Sequence, residues 1–257
     1  MDENLLNDVV AAALKAGADA AEAVGANRQS LSITVRLGEL EEVEREESRD
    51  LGLRVFIGQQ QATVSGSDIS SEARARLVER AVAMARLAPE DPYASLADPD
   101  RLARGSLPQL DLYDPAEPDP EALEDQARAC EDAARAVPGV TNSQGASSSY
   151  SSSQWRLATS GGFSGLHRAS GFSLSAATIA GEGSEMERGG DYRSVRWQAD
   201  LPAPEEIGVE AGKRAVQRLG ARKIASTTAP VIFENRLASS LIGPPRCRSR
   251  AEPDHRS

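Results

Sequence analysis

Residues that could do nucleophilic or metal chemistry are scarce in this chain. Its 257 residues include two histidines, His167 and His255, and two cysteines, Cys130 and Cys247. A protein-bound zinc ion needs three or four imidazole, thiolate or carboxylate donors, and a His-Glu-x-x-His helix offers two of them one turn apart. Neither histidine has a second donor at that spacing. His167 lies among glycines and serines and reads as a solvated loop residue. Cys130 and His167 have the residue types of a thiolate–imidazole dyad. Cys130, however, falls on an apolar stripe, where a thiol is an inert core group. Ser164 in Gly-Gly-Phe-Ser-Gly misses the Gly-x-Ser-x-Gly spacing of a nucleophile elbow. Gly181-Glu182-Gly183-Ser184 lacks both the third glycine of a dinucleotide loop and the Lys-Ser/Thr of a phosphate loop. Ser147 to Ser153 read as a polar strand face rather than a bank of nucleophiles. The expected set of catalytic, cofactor-binding and metal residues is therefore none.

The elements that would position any site are clearer. Leu31, Ile33, Val35 and Leu37 recur at every second residue, and so do Leu51, Leu53, Val55 and Ile57. Strand side chains alternate between faces, so each run puts one apolar face inward. Gly58 and the glutamines after it read as a turn, with a further strand over Ala62 to Ser65. Between the two clear strands, Glu39 to Asp50 carries seven acidic residues against Arg45 and Arg49. That run reads as a solvated strand face or hairpin, and it lacks the Asp/Asn-Gly loop pattern that hard cations favour.

A first helix is capped by Asn4, with a stripe of Leu6, Val9, Val10, Ala13 and Leu14, and ends near Gly17. Ala20 to Val24 is a short strand. Ser70 or Ser71 caps a second helix, with Ala73, Leu77, Ala81, Met84 and Ala85 on one face. Seven of the chain's fourteen prolines fall between Pro89 and Pro120, a density that prevents regular elements and marks a connector. Asp119 then caps a helix with Pro120 at its first position and Leu123, Ala127, Cys130, Ala134 and Val137 as its stripe. Val140 to Ala158 is a serine-rich pair of strands, turned by Gly161-Gly162. Phe172 to Ala180 alternates, as do Val195, Trp197 and Ala199. Pro202 and Pro204 open a helix with stripe Ile207, Ala211, Ala215 and Leu219, closed by Gly220. Each half reads helix, sheet, helix, as in a diverged duplication. Ala229 to Phe233 is a buried-type strand, and Asn235 caps a helix through Leu237, Ala238, Leu241 and Ile242.

The fold class expected is α+β: two consecutive two-layer units of small antiparallel sheet packed by helices, plus the start of a third domain. The boundaries are 1–88 for the first unit, 89–120 for the connector, 121–226 for the central unit and 227–243 for the start of the third. Residues 244–257 carry four arginines and no periodicity, and read either as a disordered basic tail or as a frameshifted end, the latter favoured.

Bulk composition narrows the partners. Hydrophobic residues make up 40% and charged residues 26%, which is globular, while aromatics at 4% leave the cores to Ala, Val, Leu and Ile. A net charge of −10 repels polyanions, so direct nucleic-acid binding is not expected. No apolar run approaches a membrane span. The start, MDENLLNDVV, has neither the basic nor the apolar region of a signal peptide, and two distant cysteines make no disulfide framework. The expected location is the cytoplasm.

Several stretches carry a family resemblance. Gly38-Glu39-Leu40-Glu41-Glu42-Val43-Glu44 and Asp50-Leu51-Gly52-Leu53-Arg54-Val55-Phe56-Ile57-Gly58 resemble the amino-terminal domain of the TldD/PmbA family, in its PmbA/TldE branch. Thr141-Asn142-Ser143-Gln144-Gly145-Ala146, Ala158 to Gly165 and Ala180-Gly181-Glu182-Gly183 resemble the second domain. Arg218 to Lys223, Ala229 to Glu234 and Leu237 to Gly243 resemble the entry into the third. The resemblance implies a cytosolic two-subunit metalloprotease acting on unfolded peptides, including peptide-antibiotic maturation and antitoxin removal. It implies that zinc sits in a TldD-like partner on a His-Glu-x-x-x-His helix. The PmbA/TldE subunit lacks that motif and pairs with the partner to enclose the peptide. No metal or catalytic residue carries over to this chain. The similarity stops where the large carboxy-terminal domain should begin, which implies a truncated subunit, inactive alone. The older family label, modulator of DNA gyrase, fits poorly with direct DNA binding at this net charge.

Overall fold

The structure, a computed structural model, describes residues 2–103, 105, 108 and 110–241. Local chemistry sets where each helix starts. Helix α1 (Glu3–Lys15) is capped by Asp2, whose extended backbone lets its carboxylate accept the Asn4 N–H, so the cap lies two residues before the expected Asn4. Ser70 caps α2 (Ser71–Ala85) by accepting the Ala73 N–H. Asp119 caps α3 (Pro120–Arg135) with Pro120 opening the helix, as expected. Helix α4 (Pro204–Val216) begins at the second of the two expected prolines.

Six strands form one antiparallel sheet in the order β3-β2-β1-β4-β5-β6. They are β1 (Ala20–Arg36), β2 (Glu39–Ile57), β3 (Gln60–Gly66), β4 (Val140–Thr159), β5 (Ser164–Ala180) and β6 (Glu187–Val195). The α+β class is as expected, and the two small sheets are halves of this single one, joined where β1 pairs with β4 from Glu22↔Thr159 to Val35↔Ala146. The order reads the same from either end. Two units, α1–β1–β2–β3–α2 and α3–β4–β5–β6–α4, are related by an approximate two-fold through the middle of the β1–β4 pair. Residues 1–220 form one compact unit.

The strands are longer than their apolar alternation. Strand β4 has 20 residues and β2 has 19, roughly 65 Å at the usual rise. The expected pair of strands over Val140–Ala158 is therefore one strand, and Ala20–Val24 is the start of β1. Gln60 and Gln61 lie in β3 rather than in the turn. Leu37 leaves the alternation altogether: with φ of 54° beside Gly38 at 82°, it forms the two-residue left-handed loop that suits the twist of a hairpin. Trp197 and Ala199 fall after β6, Ala199 within a short 3₁₀ turn (Gln198–Asp200).

Odd-numbered β1 residues from Ala21 to Val35 point at the helices, and all four long helices pack on that one face. At one end α1 and α2 bury Leu6, Val9, Leu77 and Ala81 against Leu51, Leu53 and Val55. At the other, α3 and α4 bury Leu123, Ala127, Ile207 and Ala211 against Ile33, Tyr150, Phe172 and Leu174. Leu14, Met84 and Leu219, counted on apolar stripes, lie at the margins and are at least one third exposed. The opposite face is polar and fine-grained. Ser32 and Ser147 share a hydrogen bond across β1–β4, and Ser149 and Ser173 share one of 2.7 Å across β4–β5.

The connector holds a single 3₁₀ turn (Pro99–Arg101) among its described residues. Its start is tied by the Asp91 N–H to the Gln59 carbonyl at 2.8 Å. In residues 221–241 the expected strand Ala229–Phe233 does not form: Val231 is 74% and Ile232 94% exposed. A strand needs a partner edge, and no described strand pairs with this segment. The following helix is one turn (Asn235–Ala238), with Asn235 Oδ1 accepting the Arg236 N–H. Ile242, the expected tail, Cys247 and His255 lie outside the described residues.

Candidate functional site

Strand lengths that do not match leave two half-edges on the sheet. Strand β3 covers only Leu51–Ile57 of β2, so the outer edge of Glu39–Asp50 has no strand beside it among the described residues. Strand β6 covers only Phe172–Ala180 of β5, which leaves Ser164–Gly171 in the same position. The approximate two-fold relates these half-edges, but their chemistry differs.

The β2 half-edge is the acidic run, an exposed strand as expected. Its ion pairs, Arg45–Glu47 at 2.6 Å and Arg36–Glu41 at 3.4 Å, are largely solvated. Dense charge of one sign keeps an open edge from pairing with other chains.

The β5 half-edge lies beside a cleft of about 990 Å³. The cleft forms because the end of the connector is pinned to β5 and to the segment after β6. Ser170 N–H donates to the Leu112 carbonyl at 2.9 Å, and Ser170 Oγ accepts the Asp114 N–H at 2.8 Å while donating to the Arg196 carbonyl at 2.7 Å. Arg196 Nη1 returns a bond to the Ser170 carbonyl at 2.9 Å. The buried Asp114 carboxylate accepts the Ala116 and Gln198 N–H groups at 2.9 and 2.8 Å. Alternate strand residues send their main-chain groups the same way. Since those of Ser170 point outward, those of Arg168 and Leu166 also face the open edge.

Aromatic rings wall this cleft. Trp155 of β4 sits opposite His167 of β5 in register, with the Arg28 guanidinium 4.4 Å above the indole. Arg168 lies 5.5 Å over the Tyr113 ring and bonds Gln154 Oε1 at 3.0 Å. Trp197 Nε1 donates to the Asp111 carbonyl at 3.0 Å, at a residue whose φ is 52°. Arg156 Nη1 pairs with Glu3 at 2.8 Å. Trp155 and Trp197 are the chain's two tryptophans, and both line the cleft. The arrangement offers backbone donors and acceptors, flat apolar walls and guanidinium groups. Those features suit a bound extended chain rather than bond-breaking chemistry.

The residues singled out from sequence are not brought together. Cys130 is fully buried between α3 and α4 with Ala134, Leu174 and Ile207, and its thiol is pushed up to about 12, first by burial and then by Asp191, Glu205 and Glu131. His167 is an exposed strand residue at the cleft, not a loop residue, so no Cys130–His167 dyad exists. Ser164 opens β5, and Gly181 to Ser184 form the β5–β6 turn, with φ of 79° at Gly181 and 58° at Gly183. Ser147 to Ser153 are spread over both faces of β4, Ser148 bonding Gln126 on the helix side at 2.9 Å. Among the described residues no three His, Cys, Asp or Glu side chains converge as metal donors, so the donor set does not fit zinc. The cleft escaped the sequence reading because its parts come from the connector, β4, β5 and the segment after β6. The available signal was two tryptophans in a chain so poor in aromatics.

Two family models match the chain: PmbA/TldA metallopeptidase domain 1 over residues 21–85, and PmbA/TldA metallopeptidase central domain over residues 113–219. The chain is 35% identical over 243 residues to the metalloprotease PmbA of Escherichia coli O157:H7, covering 93% of this chain and 54% of that protein. It is 35% identical over 231 residues to the metalloprotease PmbA homolog of Haemophilus influenzae, covering 90% and 51%. A putative modulator of DNA gyrase from Bacteroides thetaiotaomicron superposes with a TM-score of 0.80 at 25% identity, over 87% of this chain and 52% of that one. TldE from Thermococcus kodakarensis shares the fold, with a TM-score of 0.68 at 18% identity, over 83% and 47%. The chain thus spans about half the length of the relatives it matches. On this shared sequence and fold, the chain belongs to the PmbA/TldD metallopeptidase family.

Proposed function

We infer that this chain acts in proteolysis as the PmbA/TldE-type subunit of a two-subunit metallopeptidase, holding unfolded peptides while a TldD-like partner supplies the zinc. Membership of a metallopeptidase family supports the general class. The observation that carries the assignment of a holding role is the β5 half-edge, with outward backbone groups of Leu166 and Arg168 beside an aromatic-walled cleft. Extended peptides bind by adding a strand to such an edge, where main-chain hydrogen bonds supply affinity and side-chain pockets supply selectivity. The cytoplasm is the location that goes with this reading, and none of the described helices is long and apolar enough to cross a membrane. Residues 1–257 are expected to bind peptide, and cleavage is expected from the full length of the relatives together with the partner.

The test is coexpression of this chain, joined to the second half of a PmbA relative, with a TldD-like subunit, followed by digestion of an unfolded casein-derived peptide. Cleavage that chelator abolishes and zinc restores is the expected result. Cleavage by this chain alone in the presence of chelator would sink the reading.

A stand-alone, non-enzymatic peptide-binding module is the second reading, favoured by one observation: every described group of the half-edge and cleft lies within residues 1–220. Failure to copurify with any TldD-like subunit, with peptide binding retained, would select it.

A further inference from the structure

The geometry points to the outer edge of β5, from Gly165 to Ser170, as a docking site for an extended acidic peptide. The peptide pairs with the backbone of Leu166 and Arg168 and sets its carboxylates against Arg168. The inference rests on the peptide-handling reading above and names the site and the ligand class.

Three observations carry it. The edge is already used as a strand-pairing surface at one end, where Ser170 N–H donates to the Leu112 carbonyl at 2.9 Å. The connector makes no further ladder bond to this edge among its described residues, so the outward groups of Leu166 and Arg168 stay available for a chain running along the cleft. The eight residues from Ser164 to Gly171 span roughly 26 Å, room for an added strand of six residues or so.

Charge selects the ligand. Arg168 lies over the Tyr113 ring and has no carboxylate within 4 Å among the described residues. It is a cation held over an aromatic ring at the open edge, where a carboxylate gains a charge-assisted bond. The two-fold-related half-edge on β2 has the opposite character, with seven acidic residues between Glu39 and Asp50. An acidic strand is repelled there and attracted at β5, so the same ligand cannot add to both edges. A single-stranded nucleic acid would also find rings and guanidinium groups in the cleft, but the chain's net charge of −10 opposes a polyanion, while a short acidic peptide carries too little charge to be excluded.

Intrinsic fluorescence reads the site directly, because both tryptophans of the chain line the cleft. The probe is an acetyl- and amide-capped hexapeptide alternating valine and glutamate, with an alternating valine–lysine hexapeptide as its counterpart. Saturable change in tryptophan emission with the acidic peptide, and at least tenfold weaker binding of the basic one, is the expected result. Arg168→Glu should weaken the acidic peptide at least tenfold. Leu166→Pro removes an outward N–H at a position where an edge strand tolerates proline, and should do the same. Should Leu166→Pro fail to fold by far-ultraviolet circular dichroism, Arg168→Glu decides alone.

No emission change up to 1 mM acidic peptide (on the order of 4 kcal/mol of binding) would overturn the inference. So would equal binding of the basic peptide, indifference to Arg168→Glu, or tighter binding of a fluorescein-labelled oligothymidylate. Zinc-dependent cleavage is measured separately. A silent titration beside an active complex removes this site and leaves the metallopeptidase reading standing; an inactive complex beside a positive titration does the reverse.

Discussion

Glu131 reaches from the buried face of α3 to the tip of the β1–β2 hairpin, where its Oε2 accepts the backbone N–H of Gly38 at 2.8 Å. Its other oxygen accepts the Leu37 N–H at 2.8 Å and the Ser143 hydroxyl at 2.5 Å. Arg128, one turn earlier, donates to the Gly38 carbonyl. Leu37 holds a left-handed conformation that costs a branched side chain about 1 kcal/mol, and charge-assisted bonds to its own and the next N–H offset that cost. Glu131→Gln puts an amide donor against one of these donors. It should lower stability by about 2 to 4 kcal/mol, read as a shifted urea midpoint at unchanged slope.

Two glycines set how closely α4 can pack. A Cβ on Gly208 would lie 2.1 Å from the Cys130 carbonyl oxygen, and one on Gly189 would lie 2.0 Å from the Ala215 nitrogen. Backbone cannot yield as a flexible side chain can, so Gly208→Ala and Gly189→Ala should each cost at least about 2 kcal/mol. Gly58→Ala is the control: φ is 58° and no atom lies within 4 Å, so only the left-handed cost of about 1 kcal/mol applies. Thermal melts of the three variants would show the order reversed if α4 were free to shift outward.

The Cys130 thiol should stay silent in the folded chain. Burial, then the charges of Asp191, Glu205 and Glu131, push it up to about 12, against 9.0 for an ordinary thiol. Between those values the unfolded chain holds fewer protons at this group than the folded chain does. Stability therefore falls as pH rises above about 9, with a slope of about 1.4 kcal/mol per pH unit from this residue. Cys130→Ala should flatten that part of the profile. With Cys247→Ser as background, Ellman's reagent at pH 8 should find no reactive thiol until denaturant is added; prompt labelling would contradict the buried placement.

Asp191 on β6 is buried and takes two bonds of 2.8 Å from Arg193 and one of 2.5 Å from Arg214 on α4. Arg214 also meets Glu210 at 2.8 Å, and its side chain is 18% exposed. Asp191→Ala leaves the largely buried Arg214 guanidinium with Glu210 as its carboxylate partner and should cost about 2 kcal/mol, less than an uncompensated buried charge would. Adding Arg214→Met should recover part of that loss, since an apolar chain of similar length needs no counter-charge. A double variant no more stable than Asp191→Ala would show that packing, not charge, sets the cost.

The legible parts of the fold were those where one residue and its immediate neighbours decide the outcome. Asp119-Pro120 marks a helix start wherever it stands, and the alternation of Phe172 to Ala180 names a buried strand face without reference to its partner. The charged run Glu39–Asp50 was correctly placed in solvent, because a solvated face needs no partner. Features that need a distant partner are not legible in this way. Leu37 looks like one more strand residue until Glu131, more than ninety positions later, takes its N–H. His167 looks like a loop residue because its glycine and serine neighbours carry no apolar signal, yet hydrogen bonds to β4 make the strand regardless. Ala229 to Phe233 has the composition of a strand and forms none among the described residues, for want of an edge to join.

By itself the sequence determined the α+β class, the Asp119-Pro120 helix start and the resemblance to a metallopeptidase family. These rest on short-range periodicity, on capping chemistry and on the order of motifs along the chain. Tertiary structure alone decided that the two halves share one sheet, and that strands of unequal length leave one half-edge acidic and the other beside Trp155, Trp197 and Arg168. Those outcomes depend on strand register and on hydrogen bonds between segments more than fifty residues apart, such as Asp114 with Ser170, which no local pattern encodes.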